Sequence, residues 1–470
     1  MQVRLWFADG GIRLTVDGGD ACVGEVDTSG DAGVDFDPTA LPGVEADDRT
    51  PGYRAPAYRY AAVRDGLADR RVGSAATTVD DDIAAGFPDL SPLATRYDLR
   101  PYQREALSAW RDDDCRGVVE LPTGSGKTVI GLAAIAGRET ATLVVVPTLD
   151  LLDQWRRELA SEFDVEVGQF GGGVQQQAPI TVATYDSAYL RADDVGGDFG
   201  LVVFDEVHHL GGQGFRDAAR LVAAPARLGL TATFERPDGA HEVVTELLGP
   251  VVARASVDDL AGDYLAEYDV RRIEVALSAS ERETYETAQG TFVDYVRENG
   301  ISFDSGSDYQ KLVKRSGRDP AAREALLAKQ RAREVMMNAD AKLRELGRIL
   351  ERHADDRVVV FTAHTDLVYR ISERFLIPAI TAETGASERR EILDRFRDGT
   401  YSRVVAANVL DEGVDVPDAS VGVVLSGSGS SREFTQRLGR LLRPGESEHA
   451  VLYELVAADT AEERVADRRR

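Results

Sequence analysis

A chain of 470 residues is longer than one hydrophobic core usually serves, and ordinary domain sizes predict about three domains. Its composition, 43% hydrophobic and 29% charged, is that of a folded protein, and no apolar run approaches the ~20 residues of a membrane span. No secretory signal stands at the N-terminus, and Cys22 and Cys115 lie far apart without a CxxC motif. We therefore expect a cytoplasmic protein with no membrane attachment, no disulfide and no structural zinc site.

The net charge of −26 and the pI near 4.7 would repel a polyanion such as DNA. Only five of the basic residues are lysines, and the others are arginines. An acid-rich, lysine-poor composition is typical of proteins from a salt-filled cytoplasm, so we hypothesise a halophilic archaeal source. At molar salt the Debye length falls to about 3 Å, which would screen most of the long-range repulsion.

Residues 1–93 contain short alternating apolar runs, VRLWF and GIRLTV, among clusters of Gly, Pro and Asp. This pattern predicts a small strand-rich domain. Residues 80–99 have the polar, proline-containing character of a linker, and we place the domain boundary near Leu93.

Two later segments, residues 94–255 and 345–470, alternate continuous apolar strands with helical stretches. That alternation is typical of a parallel sheet covered on both faces by helices. Residues 256–344 lie between them and include a charged helical segment too long for a simple linker. The sequence thus predicts an α/β fold with two parallel-sheet domains, a strand-rich N-terminal domain and a helical insertion.

The segment LPTGSGKT, residues 121–128, follows the apolar run RGVVE and precedes the helical run VIGLAAIAG. This is the context of a phosphate-binding loop, in which glycines let backbone amides turn toward phosphate oxygens at a helix N-terminus. Lys127 would contact the β and γ phosphates of ATP, and Thr128 would offer its hydroxyl to Mg²⁺. Leu121 stands where the strict motif has glycine, which matches a helicase-type variant. The predicted nucleotide-binding residues of this loop are Thr123, Gly124, Ser125, Gly126, Lys127 and Thr128.

DEVHH, residues 205–209, follows the apolar run GLVVF, so its carboxylates should lie at the carboxyl end of a strand, where α/β proteins bind ligands. Asp205 would hold Mg²⁺ through water. Glu206 would orient and deprotonate the water that attacks the γ phosphate. The two histidines could indicate a metal site, but the chain has only six histidines and no further ligand cluster, so we discount it.

Further segments resemble helicase motifs. LRPYQREAL lies where helicases place an adenine-reading glutamine, which would be Gln103 with Arg100 nearby. LTATFER contains Thr231 and Thr233, which together with His208 would link hydrolysis to domain movement.

Two segments near the C-terminus complete this set of motifs. In QRLGRLLRP, Arg440 and Arg443 are three residues apart and should share one face of a helix, from which they would act as arginine fingers. Gln436 belongs to the same predicted catalytic group, and Gly413 and Asp415 of DEGVDVP are predicted to contact the nucleotide.

The order and wording of these motifs resemble superfamily 2 helicases of the XPB type, particularly the archaeal form, across essentially the whole chain. DEVHH, TATFER, DEGVDVP, FLIPAIT and GSGSSREFTQRLGRLLRP carry the resemblance. It implies two RecA-like motor domains, an N-terminal damage-recognition domain and a thumb insertion near the start of the second motor. It also implies a helicase that opens duplex DNA with 3′ to 5′ polarity in nucleotide excision repair or transcription, and a possible nuclease partner.

The chain departs from this family at one motif. Shortly after the TAT segment, family members carry an Arg-Glu-Asp element that helps to part the strands, whereas this chain has Arg236, Pro237 and Asp238. Proline fixes φ and removes a backbone donor. Arg236 and Asp238 are still predicted to contact DNA, but a second hypothesis stays open: an ATP-gated DNA-binding module that marks damage and recruits a nuclease without processive unwinding.

Four of the five lysines fall between residues 311 and 342, in a locally basic stretch of an acidic chain. Such a stretch suits phosphate contacts at a junction of single-stranded and duplex DNA, although a balanced helical surface would look similar. Tyr309 is the only aromatic residue close by in sequence. Backbone contacts ignore base identity, so an RNA helicase remains a third interpretation. The predicted DNA contacts in this stretch and in the first motor are Lys311, Lys314, Arg315, Lys329, Arg331, Thr148 and Thr184.

The halophile hypothesis predicts that the folded chain gains stability as KCl rises, because screening weakens the repulsion among its excess carboxylates. Thermal unfolding measured across a KCl series checks this. A melting temperature that is indifferent to KCl would contradict it.

Overall fold

The structure is a computed structural model that describes residues 2–17, 36–70, 78–212, 214–235, 239–260, 267–303, 306–407, 419–425 and 449–463. The chain divides into two compact units, Met1–Asp259 and Leu260–Arg470. Among the described helices, none is long and apolar enough to cross a membrane.

The N-terminal part of the first unit is a five-stranded sheet in the order β3-β4-β2-β1-β5. β1 and β2 form an antiparallel hairpin, and β5 lies parallel to β1. Alternate residues Val3 and Leu5 of β1 are buried against the apolar face of α1, as the alternating sequence pattern predicts. The elements are β1 (Gln2–Ala8), β2 (Gly11–Asp17), β3 (Glu45–Ala46), β4 (Tyr53–Pro56), α1 (Tyr60–Arg70), β5 (Thr78–Asp81) and α2 (Asp82–Ala85).

The rest of the first unit is built on an eight-stranded sheet in the order β13-β6-β12-β11-β7-β10-β8-β9. Its strand pairs are parallel except for β8 with β9, so the carboxyl ends of the parallel strands share one edge. The elements are α3 (Pro101–Asp112), β6 (Arg116–Glu120), α4 (Lys127–Arg138), β7 (Thr142–Val146), α5 (Leu149–Glu162), β8 (Val167–Gly171), β9 (Val174–Gln176), β10 (Ile180–Thr184), α6 (Tyr185–Val195), β11 (Leu201–Asp205), α7 (Arg216–Arg220), β12 (Ala226–Thr231), α8 (His241–Leu248), β13 (Val251–Arg254) and α9 (Val257–Leu260).

The second unit contains a six-stranded parallel sheet in the order β14-β19-β18-β15-β17-β16. β14 comes from the segment that we assigned to the connection and insertion, and it pairs with β19 along its whole length. The elements are β14 (Glu267–Val275), α10 (Ala279–Glu298), α11 (Gly306–Ser316), α12 (Pro320–Met337), α13 (Asp340–Arg352), β15 (Val358–Phe361), α14 (Thr365–Phe375), β16 (Ala379–Ile380), α15 (Ala386–Arg397), β17 (Arg403–Ala406), β18 (Val421–Val424) and β19 (His449–Ala457).

Helices α10, α11 and α12 form the predicted helical insertion. α10 begins at a capping box in which Ser278 and Glu281 bond each other's backbone amides, and Asp319 caps α12. The three helices share a small core that includes Tyr295, Leu312 and Ala322. Two parallel-sheet domains, a strand-rich N-terminal domain and a helical insertion confirm the predicted fold class.

Arg227 in β12 is fully buried, and its described hydrogen-bond partners are backbone carbonyls. Nε donates to Ala224 O at 3.1 Å, and Nη1 donates to Ala219 O at 3.0 Å and to Leu247 O at 3.3 Å. Nη2 donates to Val222 O. Burial holds the pKa of Arg227 well below its usual range. The guanidinium thus satisfies carbonyls at the ends of α7 and α8 and in the segment after α7, at the start of the strand that ends at Thr231.

We expect Arg227→Met to lower the free energy of unfolding of the first unit by about 3 kcal/mol or more, because an unsatisfied buried carbonyl costs about 1–3 kcal/mol. Urea unfolding followed by circular dichroism measures the loss. The matched control is Arg220→Met. Arg220 is half-exposed on α7, and its ion pair with Asp217 is long, with 3.9 Å between Nη1 and Oδ1, so its loss should cost little. Equal midpoints for the two variants would contradict this account.

Candidate nucleotide-binding active site

The predicted phosphate loop joins β6 to the first residue of α4. Gly126 has φ +79° and caps the helix, and Gly124 has φ +85°. A Cβ on Gly126 would come within 2.6 Å of Gln103 Nε2, so glycine is required there by backbone conformation and by space. Ser125 is buried and donates from Oγ to Pro122 O at 2.7 Å, which closes the turn.

Lys127 is buried inside this loop. Its Nζ donates to Leu121 O at 3.1 Å and to Pro122 O at 3.4 Å. Thr128 follows it in the first turn of α4 and is partly exposed. The ammonium therefore sits where the helix N-terminus and the loop amides also favour an anion.

Gln103 connects α3 to the loop. Its Oε1 accepts from the Arg100 backbone amide at 2.9 Å, and its Nε2 donates to Ser125 O at 2.9 Å. Tyr102 Oη donates to the same Ser125 carbonyl at 2.5 Å. Arg100 precedes α3 as its N-cap residue. Gln103, predicted from the sequence to read adenine, thus holds the phosphate loop in place together with Tyr102.

Asp205 ends β11 and is buried. Oδ2 accepts from Trp155 Nε1 at 2.8 Å, and Oδ1 accepts from the Glu206 amide at 3.0 Å. Burial and the adjacent Glu206 carboxylate raise the pKa of Asp205 to about 6, while the Trp155 hydrogen bond and the Lys127 charge oppose that rise.

Glu206 adopts φ +47° and ψ +52°, a left-handed conformation that non-glycine residues seldom occupy. Its Oε2 lies 3.4 Å from His208 Nδ1 and has no hydrogen-bond partner among the described residues. The strained backbone thus turns a carboxylate oxygen into a buried position where it can still accept a proton.

A chain of contacts runs from Glu206 to the TAT segment. His208 Nδ1 lies 3.1 Å from Thr231 Oγ1, which donates to Thr233 O at 2.9 Å and accepts from Thr233 N at 3.2 Å. Since the Thr231 hydroxyl proton is used on Thr233 O, His208 is assigned the tautomer that carries its proton on Nδ1. The ends of β11 and β12 are therefore connected through side chains.

The donor set fits a magnesium nucleotide. It comprises an ammonium, a threonine hydroxyl and two carboxylates, and Thr123 Oγ1 is a further buried polar atom with no hydrogen-bond partner among the described residues. Within the described ranges, no three His, Cys, Asp or Glu side chains converge into a metal cage. A site with one threonine hydroxyl and two carboxylates suits Mg²⁺, which keeps waters and substrate phosphates as most of its ligands.

Sequence reasoning missed two residues that hold Asp205. Trp155 of α5 is fully buried and bonds the carboxylate, and Tyr185 Oη donates to Asp205 O at 3.1 Å. Burial and the neighbouring carboxylates raise the pKa of Tyr185 well above its usual range. In sequence, Trp155 shares a helix face with Leu151 and Leu159, a spacing that indicates core packing and carries no sign of the hydrogen bond.

The structure places the predicted DNA-contact residues in two regions. Thr148 follows β7 and Thr184 ends β10, and their hydroxyls cap α5 and α6 by accepting from Leu151 N and Ser187 N, each at 3.3 Å. The others lie on α11 and α12: Lys311 pairs with Asp308 at 2.7 Å, Arg315 pairs with Asp319 at 3.0 Å, Lys314 and Arg331 are exposed, and Lys329 is partly buried. The predictions for Arg236, Asp238, Gly413, Asp415, Gln436, Arg440 and Arg443 lie outside the described residues.

Three family models match the chain. Residues 28–74 match the Xeroderma pigmentosum group B helicase damage recognition domain, residues 96–236 match the type III restriction enzyme, res subunit, and residues 341–445 match the helicase conserved C-terminal domain.

Among the proteins similar to this chain are two relatives and one solved structure. The chain is 42% identical to the DNA 3'-5' translocase XPB2 of Sulfurisphaera tokodaii, over 91% of this chain and 96% of that protein. It is 32% identical to the putative DNA 3'-5' helicase Rad25 of Halobacterium salinarum, over 82% of this chain and 58% of that longer protein. The crystal structure of the Pyrococcus furiosus Hef helicase domain aligns with a TM-score of 0.53 at 20% identity, over 80% of this chain and 100% of that one, a likeness that shows the fold alone.

We expect Trp155→Phe to reduce ATP hydrolysis about tenfold, or to raise the Mg²⁺ concentration needed for half-maximal activity by a similar factor. The reason is that a group that orients a metal-binding carboxylate commonly contributes 10–100-fold. Steady-state ATPase assays across a Mg²⁺ series measure both quantities.

The matched control is Trp110→Phe, because Trp110 is equally buried in the same unit and donates from Nε1 to Arg227 O at 2.8 Å, away from the carboxylates. If the two phenylalanine variants lost activity equally, the effect of Trp155 would be one of packing only.

Proposed function

We propose that this chain, which belongs to the XPB family of DNA helicases and translocases, is an ATP-driven motor that moves 3′ to 5′ along DNA and opens duplex. One observation of the fold carries this proposal. The phosphate loop follows β6, the TAT segment begins at the last residue of β12, and Asp205 and Glu206 stand at the end of β11; these are three adjacent parallel strands. The residues that we assign to nucleotide contact, coupling and hydrolysis thus lie side by side on one edge of the sheet.

The residues of this edge divide the chemistry among them. Lys127 would leave its two loop carbonyls to contact the β and γ phosphates, as the loop amides turn toward the same oxygens. Thr128, and Asp205 through water, would hold Mg²⁺, which when bound would neutralise charge on the phosphates. Glu206 would orient the attacking water and accept its proton at the buried Oε2.

Coupling would begin at the same carboxylate. His208 Nδ1 lies close to both Glu206 Oε2 and Thr231 Oγ1. A proton that arrives on Glu206 removes the negative charge near His208 and so alters the hydrogen bond between His208 and Thr231 of the TAT segment. We propose that Gln436, Arg440 and Arg443 neutralise transition-state charge, and that Gly413 and Asp415 contact the nucleotide, as the resemblance implies.

The biological setting is proposed from the relatives and from the damage recognition match. Nucleotide excision repair fits a DNA motor that carries such a domain. A nuclease partner would act on the strands that the motor exposes, and a halophilic, cytoplasmic setting would explain the acidity. The recruiting module without unwinding is not favoured, because the relatives bear the names of helicases and translocases.

We expect Glu206→Gln to lower DNA-stimulated ATP hydrolysis by about 100-fold or more, because general-base catalysis contributes typically 10²–10⁴-fold. Nucleotide affinity should change little, since Lys127 and the loop are untouched, and the variant should stay bound to DNA when ATP is present. ATPase rates and fluorescence anisotropy on labelled DNA measure these properties.

Glu242→Gln, an exposed change on α8, is the control. Normal hydrolysis by Glu206→Gln would remove Glu206 as the base. Stimulation of the unaltered chain by RNA alone, and not by single-stranded or duplex DNA, would overturn the DNA motor.

A further inference from the structure

The helical insertion gathers aromatic rings that are separate in sequence. Phe292 comes from α10, Phe303 from the segment after it and Tyr309 from α11. The rings of Phe292 and Phe303 are stacked with centroids 6.0 Å apart, and those of Phe303 and Tyr309 are 6.5 Å apart at 49°. The basic stretch, which in sequence is near Tyr309 alone, therefore has an aromatic cluster on the folded surface.

Lys329 of α12 holds this cluster from one side. Its Nζ lies 4.9 Å from the Phe292 centroid, 5.3 Å from that of Phe303 and 4.4 Å from that of Tyr309. Burial, together with the nearby Arg333 charge, lowers the pKa of Lys329. A partly desolvated ammonium over several rings is attracted to each by the ring quadrupole, so the rings are fixed before any ligand arrives.

The cluster has one buried and two exposed members. Phe292 is 8% exposed, whereas Phe303 and Tyr309 are 41% and 40% exposed. Val313, one turn beyond Tyr309 on α11, is also exposed. The rings of Phe303 and Tyr309 are thus held at the surface by Lys329, and part of their apolar area is not covered by the helical insertion.

The charge around these rings selects the class of ligand. Between residues 309 and 333 there are eight lysines and arginines against two carboxylates, a net charge of +6 within a chain of −26. Lys314, Arg318 and Arg331 are exposed and form no ion pair with any described residue. Exposed aromatic rings and unpaired cations within one helical insertion suit a polyanion that also offers planar apolar groups, which is the chemistry of single-stranded nucleic acid.

Salt adds a physical reason for stacking. A phosphate contact weakens as ionic strength rises, because releasing condensed counterions into a saltier solution gains less free energy, whereas base stacking does not depend on counterion release. On the halophile hypothesis, a DNA motor that works at high salt must obtain part of its affinity from contacts that salt does not screen. The aromatic cluster supplies such contacts.

We propose that Phe303 and Tyr309 form a stacking platform for unpaired bases of single-stranded DNA. Lys329 holds the two rings in place through cation–π contacts, and Lys314 and Arg318 bind the flanking phosphates. This inference rests on the proposed DNA motor function and names the part of the insertion that grips the strand. It assigns Lys329 to the rings and leaves the phosphates to the exposed cations.

The test compares a labelled single-stranded oligonucleotide with an abasic strand of the same length, by fluorescence anisotropy across a KCl series. The unaltered chain should bind the base-containing strand more tightly than the abasic one. Tyr309→Ala and Phe303→Ala should each reduce this preference about tenfold, since stacking of a base on an aromatic ring contributes about 1–3 kcal/mol. The slope of log Kd against log salt should stay unchanged in both.

Three further variants separate stacking from charge. Tyr309→Phe should keep the preference for bases. Lys314→Gln should keep it too, but lower the salt slope by about 0.7, the value for one phosphate contact on a single strand. Leu327→Ala removes a side chain that is 53% exposed on α12 and should alter neither quantity.

An unaltered chain that binds base-containing and abasic strands equally would overturn the platform, as would alanine variants that keep the full preference. DNA-stimulated ATP hydrolysis by the unaltered chain is measured in parallel. If DNA stimulates hydrolysis while the base preference is absent, the platform alone fails; if DNA gives no stimulation, the motor function fails.

Discussion

The burial of the Asp205 carboxylate and of one carboxylate oxygen of the adjacent Glu206 constrains the edge of the first motor sheet. A buried charge must be compensated, and each neighbour contributes to that compensation. The Trp155 indole and the Glu206 amide donate to Asp205, and Lys127 opposes its charge. Glu206 keeps one buried oxygen, Oε2, without a hydrogen-bond partner among the described residues. This oxygen is the atom to which we assign the proton transfer.

The sequence placed candidate functional residues correctly on the fold where those residues are neighbours in the chain. The loop around Lys127 and the DEVHH segment could be placed on a strand end because local apolar runs fix the strands that precede them. The fold class was predicted correctly because the alternation of strands and helices is a local signal repeated many times. The family was predicted correctly because its motifs are short contiguous stretches that can be read directly in the sequence.

What could not be predicted depends on contacts between distant residues. Trp155 meets Asp205 across 50 positions, and β14 becomes a strand of the second sheet only because β19 lies beside it. Phe292, Phe303 and Lys329 have no common spacing, and three helices have to pack before the rings and the ammonium meet. Thr148 and Thr184 illustrate a different limit: their hydroxyls serve as helix caps, and a cap and a phosphate contact favour the same residue type at the same position.

Arg227 has a consequence for how the protein responds to its solvent. Ion pairs on the surface, such as Lys311 with Asp308, weaken as mobile ions gather around them. Arg227 is fully buried, and its carbonyl partners carry no net charge for mobile ions to neutralise. β12, which ends at Thr231, is therefore anchored by hydrogen bonds whose strength depends little on ionic strength. The ion pairs of the surface can weaken or strengthen with the salinity of the cell while the edge that carries the hydrolytic residues keeps its geometry.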